Sequence, residues 1–183
     1  MRLERDNAVL VVIDVQERLM PVMHERFEVE RNLERLIRGA HVLGVPVIVT
    51  EQYVKGLGGT VEPVRAALEE TGAYRPIEKQ CFSAQGCEAF AAQLAALDRR
   101  QVLLAGVETH VCVYQTARDL LAAGRSLWVV ADAVSSRTPR NRDLALQRMT
   151  SDGARLSSTE MALFELLGAA GTDEFRAISK IVK

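Results

Sequence analysis

The sequence predicts a three-layer α/β fold on a mainly parallel sheet of about six strands, and three observations point to it. Short, continuous apolar runs without alternation, such as residues 8–13 and 102–107, read as strands buried on both faces. Amphipathic segments of helical period separate those runs, so strand and helix alternate along the chain without a linker or repeat. Finally, Asp14, Lys79 and Cys112 each fall at or just past the carboxyl end of an expected strand. Open parallel sheets place their ligands at that edge.

With 183 residues and 48% hydrophobic content, the chain can bury one substantial core, and residues 1–183 are expected to form one domain. The first strand, 8–13, stops at Asp14, which reads either as a turn or capping aspartate or as a functional carboxylate. Phe27, Leu33, Leu36, Ile37, Ala40 and Leu43 repeat at helical spacing and predict a helix that Gly44 ends. A third apolar run, 45–50, carries proline only near its start, where a missing N–H is tolerated. Residues 51–60 after it are rich in glycine and hydrogen-bonding side chains, a composition suited to lining a pocket.

A helix over 61–69 then leads to a short strand near 76–78 that ends at Lys79, either a solvated lysine or a site cation. Alanines and leucines predict a helix over 86–97, and the strand 102–107 follows. The next helix has Thr109 or His110 as N-cap, an apolar face of Val113, Ala117, Leu120 and Leu121, and Gly124 as its stop. Cys112 lies in its first turn, where free amides and the helix dipole favour a thiolate, so its pKa is expected to fall to roughly 3.5 to 7.5. The alternative is a small buried hydrophobe. A strand over 126–131, a loop over 132–139, a helix through Leu144 and Met149, a strand at 154–156 and helices over 159–167 and 173–182 complete the pattern. Arg137, Arg140 and Arg142 read as a solvated face or as a contact for an anion or a neighbouring subunit.

Several classes are disfavoured. A formal net charge of −1 leaves no electrostatic footprint for nucleic acid, and no apolar run is long enough to cross a membrane. The first residues lack the apolar core of a signal peptide, and three cysteines do not suggest a disulfide framework, so a reducing cytoplasm is expected. Neither a dinucleotide fingerprint nor a phosphate loop is present, and no cofactor is expected. His24, His41 and His110 are scattered, so no metal site is expected either. His110 and Cys112, two apart on one helix, do not face each other as a protease dyad would.

An acid, a cation and a thiol on one sheet edge are what nucleophilic catalysis needs: a proton acceptor for the thiol and a charge to hold the thiolate. Gly106-Val107-Glu108-Thr109-His110-Val111-Cys112-Val113, followed by Thr116-Ala117-Arg118-Asp119, with Asp14-Val15-Gln16 upstream and Lys79 between, resembles the isochorismatase-like cysteine hydrolases. Thr50-Glu51-Gln52-Tyr53, Lys55-Gly56-Leu57-Gly58 and residues 131–137 are similar to the isochorismatase domain-containing subgroup. The resemblance implies an isochorismatase-like, Rossmann-like fold with Asp14 as general base, Lys79 as orienting cation and Cys112 as nucleophile. It further implies a cis peptide between Val107 and Glu108, an oxyanion hole from the N–H groups of Glu108 and Cys112, Gln52 as a substrate-binding glutamine, by analogy Gln16 beside it, and a homo-oligomer, dimer or larger; Tyr53 and Phe82 are expected to line the same pocket because they adjoin the matched motifs in sequence. Where nicotinamidases of this superfamily carry metal ligands, this chain reads Glu51-Gln52-Tyr53.

The activity expected is metal-free hydrolysis of a small amide, imide or related carbonyl compound through a thioester at Cys112. Vinyl ether hydrolysis by acid catalysis at Asp14 stays open beside it, as does a non-catalytic assembly protein of the same fold. A phosphoacceptor signalling domain fails for want of a second acidic residue beside Asp14.

Overall fold

The computed structural model describes residues 2–183. Six strands, β1 (Ala8–Ile13), β2 (Val47–Gln52), β3 (Ile77–Lys79), β4 (Gln101–Val107), β5 (Ser126–Ser135) and β6 (Arg155–Ser157), form one sheet in the order β3-β2-β1-β4-β5-β6. Every neighbouring pair is parallel. The chain winds outward from β1 through β2 to β3, then returns to β4 on the other side of β1. The strand order thus reverses between β1 and β4, where an open sheet leaves a crevice for ligands.

The apolar strands are explained by what covers them. Leu10 and Val12 of β1 join one core with Leu33 and Leu36 of α1 (Arg26–Val42), Val64 of α3 (Glu62–Glu70), Leu163 of α7 (Thr159–Leu167) and Ile178 of α8 (Asp173–Ile181). Val9, Val11 and Ile13 point the other way, into a second core with Phe90 of α4 (Glu88–Ala96), Ala117 and Leu120 of α5 (Tyr114–Ala122) and Met149 of α6 (Pro139–Ser151). Alternate residues serve opposite faces, both are apolar, and no polar alternation survives in the sequence.

The boundaries differ from the sequence reading in ways that matter for the site. β2 begins and ends two residues later than expected, and the added Gln52 pairs in register with Lys79. Residues 132–135, expected in a loop, continue β5 to Ser135. The β4–β5 register shifts between Leu104 and Gly106, so that Gly106 faces Val134 rather than the residue a regular ladder would offer. Gly106 has φ +112°, and a Cβ there would lie 2.1 Å from the Ile13 carbonyl oxygen. Only glycine lets β4 approach β1 this closely at the edge where Asp14 and Cys112 meet.

Candidate active site

Asp14 leaves β1 in the left-handed region, φ +50°, uncommon for a residue with a side chain and concentrated at functional sites. Its amide donates to the Thr50 carbonyl at 3.1 Å, and its carboxylate is held at both oxygens. The Thr50 hydroxyl donates to Oδ1 at 2.7 Å, and the Lys79 ammonium donates to Oδ2 at 2.7 Å. Both members of this ion pair have side chains 0% exposed. Lys79 is thus no solvated lysine. Its Nζ also lies 2.6 Å from Gln52 Oε1 and 3.1 Å from the carbonyls of Cys81 and Phe82, so every proton of the ammonium has an acceptor. Such saturation is what makes a buried charge tolerable.

Cys112 stands over this pair, 6% exposed. The helix carrying it opens with a π-helical turn, Thr109–Val113, before α5, and the Val113 amide reaches back to the Glu108 carbonyl at 3.3 Å. Glu108, rather than Thr109 or His110, occupies the N-cap position, and no side chain caps it. The Val107–Glu108 peptide is cis. The thiol is not the low-pKa group expected from the helix dipole. Burial pushes it up, the neighbouring Asp14 carboxylate pushes it further, and Lys79 only partly offsets them, so the thiol is pushed up to about 12. Desolvation and a neighbouring negative charge outweigh a dipole that falls off within a turn.

The pocket residues divide. The Gln16 amide, 0% exposed, is spent on backbone: Oε1 accepts from the Gln52 N–H at 2.7 Å, and Nε2 donates to the Gln52 carbonyl at 3.0 Å and the Gly58 carbonyl at 2.6 Å. It therefore braces the wall instead of lining the pocket, a correction to the sequence reading. Gln52 likewise spends its side chain, on Lys79 and on the Gln80 carbonyl at 2.7 Å. Tyr53 and Phe82 leave their rings about half exposed, Tyr53 lying over Gly56 within its own turn. Residues 53–60 contain a one-turn helix, α2 (Val54–Leu57), and are tied to the stretch after β1 by amides of Glu17 and Arg18 on the carbonyls of Gly59 and Leu57.

Glu51 has a structural task. Its Oε1 accepts from the Thr60 amide, the Thr60 hydroxyl and the Tyr74 hydroxyl at 2.8, 2.7 and 3.1 Å. Among the described residues no group of three or more His, Cys, Asp or Glu is placed to hold a metal ion.

On the opposite wall, Glu108 accepts from the amide and Nε of Arg137, both at 3.1 Å, while His110 bridges Ser136 and Asn141. Arg142 caps the end of β5 through the carbonyls of Val134 and Ala131. Sequence reasoning missed Thr50, Ser136 and the Glu108–Arg137 pair. For Thr50 a signal existed: a hydroxyl ending the strand next to the one that ends at Asp14.

The model of the isochorismatase domain matches residues 8–161. A secreted isochorismatase effector, Isc1, of Phytophthora sojae is 40% identical over 183 residues, covering 100% of this chain and 87% of its own. Isochorismatase domain-containing protein 1 of Salmo salar is 42% identical over 177 residues, 97% of this chain, which spans only 61% of that relative. Among solved structures, the MAR1 ribonuclease of Caenorhabditis elegans superposes with a TM-score of 0.90 at 37% identity, covering 100% of this chain and 92% of that one. YcaC of Pseudomonas aeruginosa, described with hexane-2,5-diol and covalent acrylamide, gives 0.89 at 27%, covering 98% and 91%. No helix among the described residues is long and apolar enough to cross a membrane. With most of its length matched by the domain model and relatives above 30% identity that it spans over more than two thirds of their length, the chain belongs to the isochorismatase-like hydrolase family, in its isochorismatase domain-containing subgroup.

Proposed function

We propose that the protein hydrolyses a small amide, imide or related carbonyl compound through a thioester on Cys112. The observation that carries this reading is the buried juxtaposition of three groups, Lys79 on one oxygen of Asp14 at 2.7 Å and Cys112 near enough for both charges to act on its thiol. A thiol that titrates at about 12 is neutral at rest, so attack requires Asp14 to take its proton as the C–S bond forms. The carbonyl π electrons move to oxygen, and the N–H groups of Glu108 and Cys112 receive that oxyanion. When the tetrahedral intermediate collapses, Asp14 returns its proton to the departing amine, which leaves an acyl group on sulfur. Asp14 then takes a proton from water as the water attacks the thioester, and returns it to sulfur when the acid leaves. Lys79 holds the carboxylate in place through each transfer.

Acrylamide, which the P. aeruginosa structure carries covalently, is both an electrophile and a small amide, in keeping with a nucleophile in that relative that a small neutral amide can reach. A ribonuclease activity, raised by the name of the nematode structure, would need cations free to meet a phosphodiester. Lys79 is saturated and Arg137 is paired with Glu108, which favours the amide reading. The unpaired Cys81, Cys87 and Cys112 suit a reducing compartment such as the cytoplasm. Exposed Val22, Phe27 and Met161 suit a homo-oligomer.

A screen over amides, carbamoyl compounds and vinyl ethers, followed by trapping, tests the proposal. With a competent substrate, hydroxylamine should yield a hydroxamate, and rapid acid quench should leave an acyl mass on the Cys112 peptide. Cys112→Ala should lose turnover by several orders of magnitude, about 10⁴-fold or more. If Cys112→Ala keeps near-normal turnover while Asp14→Asn is dead and no adduct forms, acid catalysis of vinyl ether hydrolysis replaces the thioester.

A further inference from the structure

We infer that Gln16 is a positioning residue that sets the Lys79 ammonium against Asp14 through Gln52, an inference resting on the proposed role of Lys79 as the cation that serves Cys112. A closed ring of contacts carries it. Gln16 lies two residues beyond Asp14, in the same turn that leaves β1. Its amide grips residue 52 at both backbone groups, taking the Gln52 N–H at 2.7 Å and donating to the Gln52 carbonyl at 3.0 Å. The Gln52 side chain then accepts from Lys79 at 2.6 Å, and Lys79 donates to Asp14 at 2.7 Å, which closes the ring.

Each member is at least nine-tenths buried, with Gln16 and Asp14 0% exposed, Lys79 3% and Gln52 8%. Side chains so enclosed have little room to rearrange independently, so the separation of base and cation is fixed twice, through the chain and through the amides. Register agrees with this. Gln52 and Lys79 are Cα partners in the parallel pair β2–β3, so holding the end of β2 holds the end of β3. The second proton of the Gln16 amide, given to the Gly58 carbonyl at 2.6 Å, ties residues 53–60 to the same ring. An amide with no atom facing the pocket thereby controls both the charge under the thiol and the loop beside it.

A double-mutant cycle read by iodoacetamide labelling of Cys112 at pH 9, followed by peptide mass, tests this without any substrate. Gln16→Leu should slow labelling of Cys112 on the order of tenfold by letting Lys79 shift from the thiol, while Cys87 in the same sample keeps its rate. Lys79→Met should slow it further, and adding Gln16→Leu to Lys79→Met should change nothing more. Should Gln16→Leu fail to fold, Gln52→Met leaves the backbone pairing with Gln16 in place and removes the side-chain links to Lys79 and to the Gln80 carbonyl, and it should give the same slowing and the same non-additivity. The inference is overturned if the two effects multiply, or if the folded variant labels Cys112 at the wild-type rate. The proposed hydrolysis fails by a different result, absence of a trapped acyl group, and thiol alkylation does not depend on it.

Discussion

The ionisation of Cys112 offers the sharpest measurement, because the structure reverses what helix position alone suggests. The thiol is moved from its ordinary 9.0 to about 12 by burial and by the Asp14 carboxylate. Those three units mean about a thousandfold less thiolate than an ordinary cysteine holds at any pH below 9. With limiting iodoacetamide at pH 7.5, Cys81 and Cys87, both only partly buried, should therefore label before Cys112. The Cys112 rate should climb about tenfold per pH unit up to pH 10 without a plateau.

Linkage gives a second readout. A folded-state pKa above the unfolded one contributes stability that is intact below pH 9 and lost as pH rises toward 12. Against Cys112→Ala, which lacks the group, the wild-type protein should lose about 1.4 kcal/mol of unfolding free energy between pH 8 and pH 10, read by urea denaturation. A Cys112 rate flat from pH 6 to 8 and ahead of both other cysteines would mean a resting thiolate and would refute the reasoning.

Other perturbations probe the frame. Gly106→Ala should destabilise by about 3 kcal/mol in urea, since its Cβ would meet Ile13 backbone at 2.1 Å in a left-handed conformation; a loss below about 0.5 kcal/mol would mean that β4 can move away. Glu51→Ala should cost about 2 to 4 kcal/mol by stranding the Thr60 amide and hydroxyl and the Tyr74 hydroxyl, with no change in metal content. Chelation should leave turnover unchanged; a loss restored by zinc, iron or manganese would return the metal-dependent reading.

Much of the frame was legible because a parallel sheet writes itself plainly. Residues 8–13 and 102–107 are apolar throughout because the strands are covered on both faces, and four such runs separated by helical periods, with the short edge strands β3 and β6 beside them, leave one architecture. Asp14, Lys79 and Cys112 stood out because strand ends in a parallel sheet share an edge. Hydrogen-bond partners were not legible in the same way. The role of Thr50 depends on register between β1 and β2, and Gln16 becomes a brace only once β2 runs to Gln52. The thiol was misjudged for a related reason: helix position is local and readable, whereas desolvation and the neighbouring Asp14 charge belong to the assembled site.

A neutral resting thiol also constrains what the site can do, when its charges are counted. Asp14 and Lys79 cancel, and so do Glu108 and Arg137. The proposed reaction preserves that balance at every stage if the reacting group is uncharged. The negative charge begins on Asp14, passes to the carbonyl oxygen as the thiol proton moves to Asp14, and returns to the carboxylate when the amine departs with that proton. No stage adds a second unpaired charge to groups that are 0% exposed, where one would cost several kcal/mol. A thiolate formed in advance would break the balance, adding a negative charge beside another before any oxyanion hole could help. The raised thiol pKa is then consistent with the proposed catalysis: Cys112 would react slowly with solution electrophiles, and its proton would leave only as a bound carbonyl takes up the charge.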